Sequence, residues 1–173
     1  MMQRKGIVSI KGKAVTLSGP ELKIGQTAPD FIVLDKDFKE VRLKDFKDRI
    51  KVITVTLSLY DPTCDRQARR FNKESSELPD EVVVLNISMD LPYVLEWICS
   101  TAGLDKVLAL SDHRDASFGN AYGVLIKEHR LLAHSIFIID KNDRIRYIEI
   151  VPEVMNELNY DKAIEALKLI IGG

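Results

Sequence analysis

The chain has two cysteines, Cys64 and Cys99, and they carry most of its potential chemistry. Cys64 stands in SLYDPTCDRQARRFN, residues 58–72, between a strand-like run and a helix-like run. A thiol at a helix N-terminus faces unsatisfied backbone N–H groups and the positive end of the helix dipole, and both favour the reactive thiolate. Arg66, Arg69 and Arg70 add positive charge nearby. Cys99 lies near the end of a second helix-like run, among Val94, Leu95 and Ile98, and by itself reads as a core cysteine. No C-x-x-C motif is present, so a simple dithiol exchange site is absent. The count leaves two readings open: a pair of buried, inert thiols, or a catalytic or redox-active pair. A disulfide between the two would join two helices and would need their α-carbons within about 7 Å, a demand met by local unwinding of one or both.

Other constellations are weaker. His113, His129 and His134 lack the spacing of metal ligands, so no metal site is expected, and no cofactor motif is present. Gly119 and Gly123 belong to no phosphate-binding pattern. Asp112-His113-Arg114-Asp115 reads as a solvated turn or a subunit contact, and Tyr93 and Trp97 as packing residues.

The elements that must position the cysteines follow from hydrophobic period. Gly6 to Leu17 reads as a hairpin about Lys11-Gly12-Lys13. Phe31–Leu34 and Val41–Leu43 are short strand candidates. Lys51–Ser58 (KVITVTLS) and Val82–Ser88 (VVVLNIS) are β-branched and nearly continuously apolar, as strands covered on both faces should be. Helices are expected over Asp65–Leu78, with Ala68, Phe71, Ser75 and Leu78 near helical spacing, and over Leu91–Thr101, which meets Gly103. A strand at Val107–Leu110 and a short helix at Ala116–Tyr122 follow. Ser135–Asp140 and Ile145–Val151 flank a Lys141-Asn142-Asp143 turn, and Tyr160–Ile171 closes with an amphipathic helix.

This order predicts an α/β domain: a central mixed β-sheet flanked by helices on both faces, in a thioredoxin-like arrangement with an additional N-terminal β-hairpin. Sites in such sheets sit at the carboxyl end of a central strand, which is where the loop carrying Cys64 falls. The 173 residues suit a single domain spanning 1–173, and 46% hydrophobic with 29% charged residues is ordinary for a globular chain. A net charge of −1 gives no broad pull toward nucleic acid or an acidic membrane. No apolar run approaches the ~20 residues of a membrane span, and the basic start MMQRKGIVSIKG lacks a secretory apolar stretch, so a cytoplasmic location is expected.

Over nearly its whole length the chain resembles the thiol peroxidase family, the atypical two-cysteine branch of the peroxiredoxins. The resemblance rests on GKAVTLSGPELKIGQTAPDF, CDRQARRFN, VVVLNISMDLPYVLEWICSTAGL, LSDHRDASFGNAYGVLIKEHRLLAHSIFIIDK and VPEVMNELNYDKA, in the family's order and spacing. It implies that Cys64 is a peroxidatic cysteine, oxidised by a hydroperoxide to a sulfenic acid, and that Cys99 is the resolving cysteine that converts it to an intramolecular disulfide. It further implies a thioredoxin-like reductant, a homodimer and a thioredoxin-like fold.

The family's active-site pattern, P-x-x-x-T-x-x-C with an arginine from a later strand, is kept here only at the cysteine. Leu57 holds the proline position, Asp61 the threonine position and His134 the arginine position. An ionised Asp61 only accepts hydrogen bonds, and its charge opposes a Cys64 thiolate. His134 imitates a permanent cation only when protonated, which Asp61 would favour if the two side chains met. Leu57 alters the shape or shielding of the cysteine loop. Two expectations follow: a thiol peroxidase of reduced or altered activity, or a degenerate relative that serves as a redox-responsive or binding protein.

Overall fold

The computed structural model describes residues 1–173. Strands β1 (Gln3–Ile10) and β2 (Lys13–Ser18) form the N-terminal hairpin. Its two-residue turn has Lys11 at φ 50° and Gly12 at φ 76°, the double positive φ that matches the twist of paired strands. The next elements are β3 (Ile32–Leu34), β4 (Glu40–Arg42), β5 (Ile50–Val55), α1 (Pro62–Ser75), β6 (Val82–Ser88), α2 (Pro92–Ala102) and β7 (Val107–Ser111). They are followed by α3 (Ser117–Ala121), β8 (Leu125–Ile126), β9 (Leu131–Leu132), β10 (Ser135–Ile139), β11 (Ile145–Ile150) and α4 (Tyr160–Gly172).

The central sheet has the order β11-β10-β5-β6-β7-β3-β4, with β5, β6 and β7 parallel and the outer strands antiparallel. Strand alternation sorts its side chains onto two faces. Ile50, Val52, Val84, Ile136 and Ile138 point to one side, where they meet Phe71 of α1 and Ala163 and Leu167 of α4. Ala109 on that side meets α1 and α2 through Ala68, Leu95 and Ile98. Ile53, Leu85, Ile87 and Phe137 point to the other, where Phe118 and Tyr122 of the α3 region and Leu17 of β2 cover them. Each such fully buried side chain stabilises the fold by about 1.5–3 kcal/mol relative to exposure. The helices thus lie on both faces, three against one.

The hairpin does more than decorate the sheet. β2 pairs with β8, and β8 with β9, giving a second sheet β1-β2-β8-β9 over the α3 face. The two-residue strands β8 and β9 are too short to show a period, so hydrophobic patterning does not find them. Gly123 fixes how closely this sheet approaches: at φ 68°, a Cβ there would collide with the Pro20 carbonyl oxygen.

Asp112 departs from the expected solvated turn. It is 1% exposed, and its carboxylate accepts the N–H groups of Phe118 (3.0 Å) and Gly119 (2.8 Å), capping α3 from the end of β7. Burial pushes its pKa up to about 6 against the pull of those N–H groups. Arg114 is exposed and pairs with Glu40 and Asp115. Tyr93 and Trp97, expected to be packing residues, are 72% and 56% exposed, and pack at the surface against Phe38 and Tyr60.

Lys51 is the one fully buried cation, on a central strand, 2.5 Å from Asp143 and 3.2 Å from the Asp140 carbonyl. Removing one partner of such a pair strands the other charge in the interior. Asp143→Ala is expected to cost about 3 kcal/mol in urea unfolding, at the low end for a buried pair because Asp143 is 41% exposed. Adding Lys51→Met should recover most of that loss; equal instability of the double variant would show that Asp143 matters for its turn and not for its charge.

Candidate active site

Strand β5 ends at Val55, although the Thr56 N–H still reaches Ile87 O at 3.1 Å. The chain then turns out of the sheet, and α1 begins at Pro62. Cys64 therefore lies in the first turn of α1, and not in a loop before a helix that starts at Asp65. The reason is local: Asp61 is the N-cap and Pro62 occupies N1, where its missing N–H costs nothing. Asp61 Oδ1 accepts from Thr63 N at 2.9 Å and from Cys64 N at 3.2 Å. The positive helix end that would otherwise favour a thiolate is already occupied by a carboxylate.

Cys64 is 1% exposed. Burial is the largest effect on its thiol and pushes the pKa up to about 11; the backbone N–H groups of Ser58 and Leu57 oppose it, and the Asp61 charge reinforces it. The Leu57 contribution is specific to this sequence, because a proline there has no N–H to give. None of the three nearby arginines serves the sulfur. Arg66 binds Glu157 at 3.2 Å, Arg69 binds Asp65 at 2.9 Å, and Arg70 binds Asp161 at 2.7 Å.

His134 is fully buried just before β10, with Nδ1 2.9 Å from Asn156 O and Nε2 against Gln67 Oε1. Two oxygens facing the two ring nitrogens would suit an imidazolium. Burial outweighs them and holds the His134 pKa below its usual 6.5, so the ring is neutral at pH 7. A neutral ring satisfies both contacts only if the Gln67 amide turns over to offer its N–H; as placed, Gln67 Nε2 is buried without a partner. Asp61 and His134 share neither a hydrogen bond nor an ion pair, so the pairing that would have charged His134 does not form. Asp61 raises the His134 pKa only weakly, behind the Asn156 and Val154 backbone groups.

Cys99 lies on α2, half-buried against the cluster of Leu59, Ala68, Leu95, Ile98, Leu104 and Ala109. Burial raises its pKa, and the Lys36 ammonium partly offsets this. Cys64 is held instead in the first turn of α1, under the Asp61 cap. Both thiols are free, each on its own helix.

Sequence reasoning missed three residues around these positions. Gln67, three residues after Cys64, belongs to the buried stripe Cys64-Gln67-Ala68-Phe71 of α1, and a glutamine in that register was the available signal. Asp90 binds Ser58 Oγ at 2.7 Å, Leu59 N at 2.8 Å and Ser88 Oγ at 3.0 Å, tying the turn before Cys64 to the approach to the Cys99 helix. Its signal was the Ser-x-Asp-x-Pro run ahead of α2. Asn156, from the approach to α4, carried no local pattern. No group of three or more His, Cys, Asp or Glu side chains converges as a metal site.

A family model described as Redoxin matches residues 23–164. The chain is 48% identical over 161 residues to a thiol peroxidase of Halalkalibacterium halodurans, covering 93% of this chain and 96% of that one. It is 48% identical over 164 residues to a thiol peroxidase of Bacillus subtilis, covering 95% and 98%. Among solved structures, a peroxiredoxin-like protein from Aquifex aeolicus superposes with a TM-score of 0.88 at 37% identity, covering 94% of this chain and 96% of that one. A thiol peroxidase from Chromobacterium violaceum shares the fold, with a TM-score of 0.82 at 22% identity over 94% and 95% of the two chains.

Proposed function

This chain belongs to the Redoxin family and, within it, to the thiol peroxidases; from that premise we propose that it reduces hydroperoxides, with Cys64 as the peroxidatic and Cys99 as the resolving thiol. The observation that carries the reading is the position of Cys64 at the carboxyl end of a central parallel strand, in the first turn of α1. The Cys64 thiolate attacks the terminal peroxide oxygen, an S–O bond forms as the O–O bond breaks, and the departing alkoxide or hydroxide takes up a proton. Cys99 then attacks the sulfenic sulfur, an S–S bond forms, and water leaves. A thioredoxin-like dithiol returns two electrons and regenerates both thiols. Because the thiols sit on two formed helices, resolution includes local unwinding at one or both. The protein works as a homodimer in the cytoplasm; no helix is long and apolar enough to cross a membrane.

Its turnover is slow. With a thiol pKa of about 11, roughly one Cys64 in 10^4 is ionised at pH 7. The neutral His134 and the accept-only Asp61 supply no donor to the reacting oxygens. These two side chains also favour a second reading, a redox-responsive or binding protein in which Cys64 is oxidised rarely and without efficient turnover.

The test is thioredoxin-coupled consumption of hydrogen peroxide and of an organic hydroperoxide, wild type against Cys64→Ser. A Cys64-dependent rate is expected, with a Cys64–Cys99 disulfide seen by mass spectrometry after mild peroxide. No difference between the two proteins from pH 5 to 8 would overturn the peroxidase reading. A disulfide without sustained turnover would select the second one.

A further inference from the structure

For Cys99 to reach an oxidised Cys64 its helix must open, and the two ends of α2 differ in what opening would cost. Toward its start, unwinding would uncover Pro92, Leu95 and Ile98, all of them buried. Beyond Cys99 the helix holds only Ser100, Thr101 and Ala102, exposed or half-buried. The Ser100 and Thr101 hydroxyls both bond back to Trp97 O, at 3.0 and 2.7 Å, a contact that weakens and bends a helix. Segments with few buried apolar contacts open at the smallest cost. The last turn of α2 is therefore the part that gives way first.

The stop that closes this turn is bonded to Cys99 itself. Gly103 N and Leu104 N both donate to Cys99 O, the second at 3.1 Å, in the manner of a Schellman cap. Side chains of α1 fasten that stop from outside. Asp65, Arg69 and Asn72 share one face of α1, at i, i+4 and i+7. Asp65 holds the Arg69 guanidinium at 2.9 Å, and Arg69 Nη1 donates to Ala102 O at 3.3 Å. Asn72 makes the larger set of bonds. Its Nδ2 donates to Gly103 O (3.3 Å) and to Asp105 Oδ1 (3.2 Å), and its Oδ1 accepts from Lys106 N (2.8 Å). One side chain of the Cys64 helix thus spans the exit of the Cys99 helix.

We propose that Asn72 is a positioning residue for the resolving step: it holds the last turn of α2 closed, and its release sets how fast Cys99 reaches the oxidised Cys64. The inference rests on Cys64 and Cys99 being the peroxidatic and resolving thiols. Two reactions compete for the sulfenic acid. In Cys64–SOH + Cys99–SH → Cys64–S–S–Cys99 + H2O, an S–S bond forms, the S–O bond breaks, and hydroxide leaves as water with the thiol proton. In Cys64–SOH + H2O2 → Cys64–SO2H + H2O, a second peroxide oxidises the same sulfur further and is itself reduced to water. Asn72 bonds to the exit of α2 and to neither sulfur, so it acts on the first reaction alone.

The ratio of disulfide to Cys64 sulfinic acid, read by mass spectrometry over a series of hydrogen peroxide concentrations, reports this competition however slow the first oxidation is. Asn72→Ala is expected to raise the ratio by about fivefold or more, the factor that one net hydrogen bond gives, with faster amide exchange at Gly103 and Leu104. In a Cys99→Ser background the same substitution should leave the first and second oxidations of Cys64 at their original rates. Asp105→Ala leaves α1 untouched and removes one of the Asn72 bonds, so it should raise the ratio by less. A residue that merely stabilises the fold would lower the thermal midpoint and leave the ratio where it was. An unchanged or lower ratio in Asn72→Ala overturns the proposal; should that variant fail to fold, the same result in Asp105→Ala does so. A rise matched by a slower second oxidation in the Cys99→Ser background overturns it too. Absence of any disulfide in the wild type at every peroxide concentration overturns the assignment of the two thiols, so the two failures are distinguishable.

Discussion

Replacing Asp61 with threonine and His134 with arginine together is expected to raise the rate of Cys64 oxidation by hydrogen peroxide at pH 7 by about 10^3-fold or more. Each change acts on a defined defect. Asp61→Thr keeps an N-cap for α1, since threonine also caps well, while it removes the charge that raises the Cys64 pKa and introduces a hydroxyl that can donate. His134→Arg places a permanent cation where a neutral ring now sits. Asn156 O and Gln67 Oε1, which face the two nitrogens of His134, offer a guanidinium two acceptors without any turn of the Gln67 amide, and its charge, unlike that of an imidazolium, survives the burial of this position. A single lost oxyanion donor typically costs about 2.7–4 kcal/mol of barrier. Every unit by which the thiol pKa falls adds about tenfold more thiolate at pH 7. The changes should not be additive. His134→Arg alone leaves Asp61 available to pair with the new cation, so most of the gain should appear only in the double variant. Stopped-flow oxidation of the four proteins measures the cycle, and a double-variant rate within threefold of wild type would show that these side chains are not the limiting defect.

The fold was largely legible because its central elements are long and strongly patterned. The runs KVITVTLS and VVVLNIS became β5 and β6, buried on both faces, and the Gly103 stop became the left-handed cap of α2 at φ 68°. The pairing of β2 with β8 was not legible, because a two-residue strand has no period and its partner lies over a hundred residues away. Asp112 was misread for a related reason: a carboxylate in a charged run looks solvated until the helix whose amides it caps is folded over it. At the site, the sequence pointed to Cys64, Asp61, His134 and Cys99 as candidates and to the Asp61 charge opposing a thiolate, but not to the burial of Cys64 and His134. Helix position alone suggested an acidic Cys64; desolvation and the Asp61 cap reverse that sign. The start of α1 was legible in principle, since Asp-Pro is an N-cap followed by an N1 proline.

The pH dependence of Cys64 oxidation should rise about tenfold per unit from pH 7 to pH 10, about 10^3-fold in all, without a plateau until about 11. The sign follows from the thiolate being the nucleophile: a thiol whose pKa is raised from 9.0 gains its reactive form only as pH approaches the shifted value. His134 does not alter this slope. Its pKa is lowered from 6.5, so it acquires charge only in acid, where Cys64 is almost wholly protonated. Imidazolium and thiolate are therefore never both abundant. If the reactive species were nevertheless the rare imidazolium–thiolate pair, gain of one partner with pH would cancel loss of the other, and the rate would be flat between the two pKa values. A slope of one thus assigns reactivity to the bare thiolate, and a flat profile assigns it to the pair with His134. A plateau setting in near pH 7 would exclude both, because it would require Cys64 to be acidified by a group that outweighs its burial. The same profile in Asp61→Asn should keep its slope and move its plateau to lower pH, since the substitution removes the one charge that opposes the thiolate from within the helix cap.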